Sequence, residues 1–173
     1  MRNGFRCLLA ALAGIVLAAL PARATVAARP DADGVIQLSG KTETGKPLLV
    51  RVTLRGSTYE DRREERVQEK DKIGDDWWGG PDQIIATFEV RIGNDWIPLG
   101  RSAYCDLGQV RLVELNTTKS AFFLTIYGGE TGTGYSAKLR FKGGFLLGRE
   151  VTHNKMGLEE KTEYYYPFSD GGN

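Results

Sequence analysis

Three apolar-rich runs between Ala121 and Val151, separated by glycine-bearing turns, are the feature that most constrains the fold of this chain. Successive side chains of a β-strand point to opposite faces, so a two-residue period predicts a strand with one face in a core and the other in water. The middle run shows this period most clearly, with Ala137, Leu139 and Phe141 alternating with Lys138, Arg140 and Lys142. The stretch Tyr135–Phe141 is therefore predicted to be a half-buried strand.

Two similar runs, Ala121–Tyr127 and Phe145–Val151, flank this strand. Glycine readily adopts the positive φ angles of a two-residue turn, so Gly143-Gly144 predicts an antiparallel hairpin. Other candidate strands are Val35–Leu38, Pro47–Arg55, Gln83–Ile92, Trp96–Leu99, Gln109–Leu115 and Thr162–Phe168. The chain is predicted to be all-β, a single antiparallel β-sandwich or partly closed β-barrel of about eight or nine short strands within 34–168.

The first 24 residues show the three regions of a secretory signal peptide. A basic segment, Met1–Arg6, precedes the apolar stretch Cys7–Leu20, and Ala22-Arg23-Ala24 supplies small residues at a cleavage site. A membrane anchor needs about 20 apolar residues, which is more than this stretch offers. Cleavage after Ala24 and export to the periplasm or beyond the cell are therefore expected, with no transmembrane segment left in the mature chain.

Charge and cysteine content exclude several classes of protein. Cleavage leaves 149 of the 173 residues, the size of one domain, and 20 basic against 22 acidic residues, a formal charge of −2. That balance argues against nucleic-acid binding, which normally requires a concentrated basic face. Only Cys105 remains, so no intrachain disulfide can form, and Cys105 is expected to be a buried small hydrophobe. The ends, Thr25–Asp33 and Ser169–Asn173, are expected to be flexible and frayed.

Motifs for catalysis or metal binding are missing from the sequence. The one histidine, His153, lies in a polar segment where a solvated loop is expected, and neither a GxSxG elbow nor an HExxH motif is present. The loop Gly128–Gly134 lacks the lysine of a phosphate-binding P-loop. A carboxylate pair remains conceivable for Glu114, Glu130 or Glu150, although each is better explained as an outward or loop position. The sequence predicts a non-enzymatic protein without metal or cofactor.

Two adjacent tryptophans, Trp77 and Trp78, lie in the loop Ile73–Asp82 next to a Gly-Gly-Pro sequence. A rigid indole in a loop is suited to anchoring a binding partner, and the alternative is that one indole covers the edge of the core. The charged segment before this loop, Glu60–Lys72, has Val67 as its one aliphatic residue, so it is expected to be a solvated helical turn or hairpin arm.

A second loop reads Thr131-Gly132-Thr133-Gly134-Tyr135. It resembles the small-Gly-x-x-Tyr pattern that periplasmic inhibitors of lysozyme place in a loop entering the enzyme's cleft, with threonine where those proteins have serine. The match covers five residues, and the disulfides and repeats of several such families are missing. The resemblance implies that Thr131 and Tyr135 provide hydroxyl contacts to the catalytic carboxylates. The alternative is an ordinary glycine-rich hairpin loop.

These features predict an exported, cofactor-free binding protein that recognises a protein or another envelope component through one end of the β fold. The expected binding residues are Trp77, Trp78, Thr131, Gly132 and Tyr135. The alternative function is a periplasmic inhibitor or immunity protein against a cell-wall hydrolase. Glycan binding through the tryptophan loop is a variant of the first hypothesis, and a secreted glycosidase or esterase is a third.

Overall fold

The computed structural model describes residues 25–58, 60–61, 82–118, 121–130, 134–155 and 158–165. Ten strands lie in this part of the chain: β1 (Thr25–Ala28), β2 (Val35–Lys41), β3 (Pro47–Gly56), β4 (Gln83–Ile92), β5 (Asp95–Ile97), β6 (Val110–Thr117), β7 (Phe122–Gly128), β8 (Tyr135–Lys142), β9 (Phe145–Lys155) and β10 (Leu158–Tyr165). One turn of 3-10 helix, Arg101–Ala103, lies between β5 and β6. The predicted signal peptide, most of Glu60–Lys72 and the C-terminal residues 166–173 lie outside the described residues.

The strands form two antiparallel sheets, and neither closes into a barrel. The larger sheet has the order β1-β6-β7-β8-β9-β10, and the smaller has the order β2-β3-β4-β5. Their facing sides share one apolar core, to which both sheets contribute aliphatic residues such as Val50, Val52, Leu124 and Leu139. The all-β prediction is therefore confirmed, and of the two predicted architectures the structure is a sandwich of ten strands.

The central hairpin has the predicted alternation and the predicted turn. In β8 the side chains of Ala137, Leu139 and Phe141 are buried, whereas the three cations between and after them are exposed. Gly143 and Gly144 have φ angles of +60° and +85°, and they connect the paired residues at the ends of β8 and β9. Two consecutive positive φ angles are the requirement of a type I′ hairpin, which glycine meets without steric cost.

Strand β4 departs from strict alternation near its start. A single two-residue period would place Ile85 on the same face as Thr87, yet Ile85 is buried and Thr87 is exposed. The pairing with β3 explains the change, because Thr53 is opposite Thr87 while Leu54 is opposite Ile85, which leaves Ala86 as an extra residue. Such a bulge shifts the phase of a strand by one residue.

The segment Thr25–Asp33, expected to be flexible, contains the edge strand β1. Thr25–Ala28 pairs antiparallel with β6, and the Thr25 hydroxyl donates a hydrogen bond of 2.5 Å to Oδ1 of Asn116. The following turn is also ordered, since the carboxylate of Asp31 accepts hydrogen bonds from the backbone N–H groups of Asp33 and Val35. The N-terminal part of the described chain is thus an integral part of the larger sheet.

Candidate functional site

The two ends of the sandwich are built from different turns. We call one the pocket end, which comprises the turns at 42–46, 93–94, 118–121 and 143–144. We call the other the closed end, where the chain segments around residues 57, 82, 108 and 129 meet. At the pocket end the inner faces of the sheets are open to a cavity, whereas at the closed end hydrogen-bonded chain segments meet over them. The candidate site is therefore at the pocket end.

A cavity of about 650 Å³ opens at the pocket end. Its buried wall includes Phe122 and Phe141, whose rings stack with centroids 4.6 Å apart and planes 4° from parallel. Its outer wall includes Trp96 and Phe145, which are 57% and 43% exposed. Among the described residues, Val26 is the remaining large apolar side chain with comparable exposure. Two of the three large apolar side chains that are exposed in the described part of the chain therefore line one cavity.

Trp96 is positioned by a very short strand. It lies in β5 opposite Arg91 of β4, and the guanidinium carbon of Arg91 is 5.5 Å from the centroid of the indole ring. A cation over an aromatic face is a favourable contact, so the indole is oriented although it is largely exposed. The next residue, Ile97, is buried and fixes the strand on the core. The exposed indole on the cavity wall is thus held in place by a strand that is anchored in the core.

The rim of the cavity is polar and carries both signs of charge. Its polar side chains are Thr42, Glu43, Thr44, Lys46, Asp95, Thr118 and Lys142. The hydroxyls of Thr42 and Thr44 are 3.0 Å apart, and the Thr42 hydroxyl also accepts a hydrogen bond from the N–H of Lys46. An apolar interior with a few polar groups at its mouth is the usual composition of a small-molecule site.

The sequence analysis assigned Trp96 to a strand and did not predict this cavity. The signal that could have indicated it is positional. Trp96 follows the turn Gly93-Asn94-Asp95 directly, and Phe145 follows the turn Gly143-Gly144 directly. An aromatic residue just after a hairpin turn lies at the end of its sheet, and in the structure these two turns belong to different sheets that meet at the pocket end.

Between the two ends, near the middle of β9, a charged side chain points into the inner face of the larger sheet. Arg149 of β9 is opposite the buried Leu139 and is itself only 3% exposed. Its guanidinium donates two hydrogen bonds to the carboxylate of Asp106, at 2.5 and 2.7 Å, and a third of 3.1 Å to the carbonyl of Ala103. The Tyr164 ring centroid lies 4.1 Å from the same guanidinium. The connection between β5 and β6 thereby covers this part of β9.

Tyr135, one of the predicted binding residues, is buried at the closed end. It is 4% exposed, and its hydroxyl donates a hydrogen bond of 2.8 Å to the carbonyl of Gly108. Burial raises the pKa of the Tyr135 phenol well above its usual value near 10, and the charge of Asp106 raises it further. A Cβ atom at Gly128 would overlap the Tyr135 ring, so only glycine fits beside it. The hydroxyl that the resemblance assigned to a partner is thus engaged inside this fold.

The bases of the two predicted binding loops meet at the closed end. The N–H of Ser57 donates to the carbonyl of Asp82, and the N–H of Gln109 donates to the carbonyl of Gln83, both at 2.9 Å. The N–H of Gly129 in turn donates to the carbonyl of Gln109 at 3.2 Å. The predicted binding residues Trp77, Trp78, Thr131 and Gly132 themselves lie outside the described residues.

Two further expectations are corrected by the structure. Cys105 is exposed rather than buried, because its neighbours Tyr104 and Asp106 take the inward positions of the turn, one against Phe88 and the other against Arg149. His153 is not in a solvated loop, because β9 extends past it and pairs it with Tyr135, where it is partly buried.

The acidic residues weighed for catalysis do not form a pair. Glu114 accepts a hydrogen bond of 3.1 Å from the Tyr127 hydroxyl, and Glu150 forms an ion pair of 2.9 Å with Lys161. Glu114 lies on β6 and Glu150 on β9, which are three strand spacings apart in the sheet, or about 14 Å. Glycosidase carboxylates lie roughly 5–9.5 Å apart, so these two do not meet that geometry. Glu130 is exposed in the loop after β7.

Within the described ranges, no group of three or more histidine, cysteine or acidic side chains is arranged to hold a metal ion. No helix in the same part of the chain is long and apolar enough to cross a membrane. No protein-family model, curated protein or solved structure matches this chain. The functional argument therefore rests on the geometry of the two ends.

Proposed function

We propose that this protein is an exported, non-enzymatic binding protein, and that the pocket-end cavity holds the apolar part of a small amphiphilic ligand. The observation that carries the proposal is the cavity with Trp96 and Phe145 exposed on its wall. Its volume of about 650 Å³ is in the range of small-molecule sites. Export is supported by the residue pattern of the first 24 residues.

The chemistry of the wall favours an apolar group over a purely polar one. Removing apolar surface from water stabilises a complex by about 25 cal/mol per Å², and aromatic side chains offer the largest such surface. Trp96 and Phe145 keep much of theirs exposed in the free protein, so a ligand gains by covering them. Polar groups are confined to the rim, which is where the polar end of an amphiphile would remain hydrated.

The alternative function, inhibition of a cell-wall hydrolase through Thr131–Tyr135, has less support. It requires the Tyr135 hydroxyl to reach another protein, whereas that hydroxyl is bound to Gly108 and buried. Partner binding through Trp77 and Trp78 stays a prediction of the sequence.

The test uses the fluorescent dye anilinonaphthalene sulfonate (ANS), an aromatic amphiphile. The folded mature chain should bind ANS saturably with a stoichiometry of one. Trp96→Ala and Phe145→Ala should each weaken binding by about tenfold, which corresponds to ~1.4 kcal/mol. Near-ultraviolet circular dichroism must show native packing, because loosely packed states also bind ANS.

Val26→Ala is the matched control, since Val26 is an exposed apolar residue on β1 that does not line the cavity. It should leave the ANS dissociation constant within about twofold of wild type, as expected for a surface substitution away from a site. Equal weakening by all three substitutions, or absence of saturable binding, would overturn the proposal.

A further inference from the structure

The outer face of the larger sheet carries a row of three cations. Lys138, Arg140 and Lys142 are all exposed on β8 and occupy every second position, which places neighbouring members about 6.8 Å apart. This regularity follows from the same alternation that buries the apolar residues of the strand. The row runs along β8 in the middle of a six-stranded sheet, so strands flank it on both sides.

The row is not neutralised by carboxylates within the described residues. Glu150 is opposite Lys138 on the neighbouring strand, but its carboxylate binds Lys161, which also lies 3.3 Å from Glu163. Lys138 instead places its ammonium 4.9 Å from the centroid of the Phe123 ring. In the part of the chain that the structure describes, none of the three cations of the row forms an ion pair. The middle of this face therefore has an excess of positive charge.

A depression beside the row provides space for a bound group. Gly148 is opposite Arg140, and its lack of a side chain leaves a hollow of about 200 Å³. The hollow is bordered by Phe123, Lys138 and Arg140 on one side. Glu150 and Glu163 also line it, and both carboxylates are paired with Lys161. A water molecule occupies roughly 30 Å³ of liquid, so the hollow admits a group of several non-hydrogen atoms. An arginine guanidinium at its edge is suited to a carboxylate, which it binds with two parallel hydrogen bonds.

The residues next to the row favour sugars over nucleic-acid bases. Hydroxyls lie along the neighbouring positions of three strands, at Thr125, Ser136 and Thr152, and they can exchange hydrogen bonds with sugar hydroxyls. Base stacking needs open aromatic faces. The Lys138 ammonium covers one face of the Phe123 ring, which is the aromatic ring beside the hollow. We propose that this face binds an acidic polysaccharide, with its carboxylates along the cations of β8.

The experiment measures binding of the folded mature chain to polygalacturonate at low salt, with neutral dextran as the uncharged polymer and oligothymidylate as the nucleic acid. The row variant is Lys138→Gln/Arg140→Gln. Its matched control is Lys41→Gln/Arg51→Gln, which removes the same charge from exposed positions on β2 and β3 of the other sheet. The row variant should raise the dissociation constant for polygalacturonate about tenfold or more, and the control should change it by no more than about twofold. Binding should weaken as salt is added, because surface charges are screened.

Three results would overturn the assignment: equal weakening by both double variants, tighter binding to oligothymidylate than to polygalacturonate, or no binding of polygalacturonate by the wild type. The first would mean that net charge alone attracts the polymer. ANS binding to the same proteins separates this site from the cavity, because neither Lys138 nor Arg140 lines the cavity. Both side chains are exposed, so the row variant should unfold at the wild-type temperature, and Arg140→Gln alone repeats the test with a smaller charge change.

Discussion

The pocket end and the closed end differ in how the inner faces of the sheets are covered. Between the two ends, the inner face of β9 carries Arg149 in mid-strand. The connection that continues to Gly108 at the closed end folds over it and supplies Asp106 and a backbone carbonyl. At the pocket end, the inner face carries stacked phenylalanine rings and remains open to a cavity with Trp96 on its wall. One end is closed by hydrogen bonds within the chain, and the other retains apolar surface that a ligand can cover.

This comparison separates stability from binding. Substitutions at the closed end should lower the free energy of unfolding and leave the cavity intact, because the two ends lie at opposite ends of the strands. Substitutions at the exposed cavity wall should weaken ligand binding with little loss of stability. The predictions below begin with the largest expected change in stability.

Breaking the buried ion pair should have the largest effect. Asp106→Ala leaves the Arg149 guanidinium buried without its carboxylate, and loss of one partner from a buried pair costs about 3–5 kcal/mol. Urea denaturation should show this loss as a lower midpoint with an unchanged slope. Arg149→Met/Asp106→Leu, which removes both charges, should be less destabilising than Asp106→Ala. A loss below about 1 kcal/mol for Asp106→Ala would contradict the role of this pair.

Tyr135→Phe should have an intermediate effect. It removes the hydroxyl that donates to Gly108 and leaves a buried carbonyl without that donor, which costs about 1–3 kcal/mol. Tyr127→Phe is the control, because Tyr127 is only partly buried and its hydroxyl donates to a surface carboxylate. The control should lose less stability in the same denaturation experiment. Equal losses would show that burial of the Tyr135 hydroxyl is unimportant.

The same tyrosine predicts a dependence on alkaline pH. The pKa of Tyr135 is raised in the folded protein, whereas the unfolded chain should titrate near pH 10. Below pH 10 both states keep the proton, and the contribution of Tyr135 to stability is complete. Above it, the unfolded state releases the proton first, so stability falls as pH rises. Unfolding midpoints measured across this range should fall less steeply for Tyr135→Phe, and parallel curves would contradict the assignment.

An exposed ion pair near the closed end should matter much less than the buried one. Asp61 accepts hydrogen bonds from Arg55 and from the N–H of Thr58, and these contacts lower the pKa of its carboxyl, with the Arg55 contact contributing most. Its contribution to stability is present above the unfolded pKa near 4 and is lost as the pH falls through the folded pKa. Asp61→Asn should lower the unfolding temperature slightly at neutral pH. The difference in unfolding temperature between the variant and the wild type should shrink in acid. A difference that persists in acid would contradict a stabilising role of the ionised Asp61 carboxylate.

The tryptophan loop should affect stability least. Trp77→Ala/Trp78→Ala is expected to leave folding and ANS binding unchanged and to abolish capture of a protein partner in pull-downs from envelope extracts. Loss of folding would instead assign these indoles to the core. Unchanged partner capture would leave the cavity and the outer face of the larger sheet as the binding surfaces.

Local patterns predicted the fold where the residues that decide it are close in sequence. The alternation in β8 and the turn at Gly143-Gly144 involve neighbours in the chain, and both were predicted correctly. The edge strand at Thr25 was missed because its partner Asn116 is 91 residues away, and an alanine-rich segment shows no period of its own. The bulge at Ala86 was missed for a related reason, since it is visible only in the pairing with β3.

The sites were harder to predict because they depend on contacts between distant turns. Asp106 and Arg149 are 43 residues apart. In addition, a charged residue at an inward position is an exception to the apolar-polar alternation from which the buried face of a strand is predicted. The cavity is formed by four turns whose proximity follows only from the order of strands in both sheets. The sequence showed that Trp96 and Phe145 follow turns, but the wall they share exists only in the folded chain.

The most direct test of the division between the two ends is an ANS titration of Trp96→Ala and Asp106→Ala, with the urea midpoint of each protein measured on the same preparation. We predict that Trp96→Ala weakens ANS binding about tenfold with a midpoint close to wild type. Asp106→Ala should bind ANS with wild-type affinity under native conditions and unfold at a clearly lower urea concentration. A Trp96→Ala variant that keeps wild-type ANS affinity would contradict the account, because the cavity wall would then not be a binding surface.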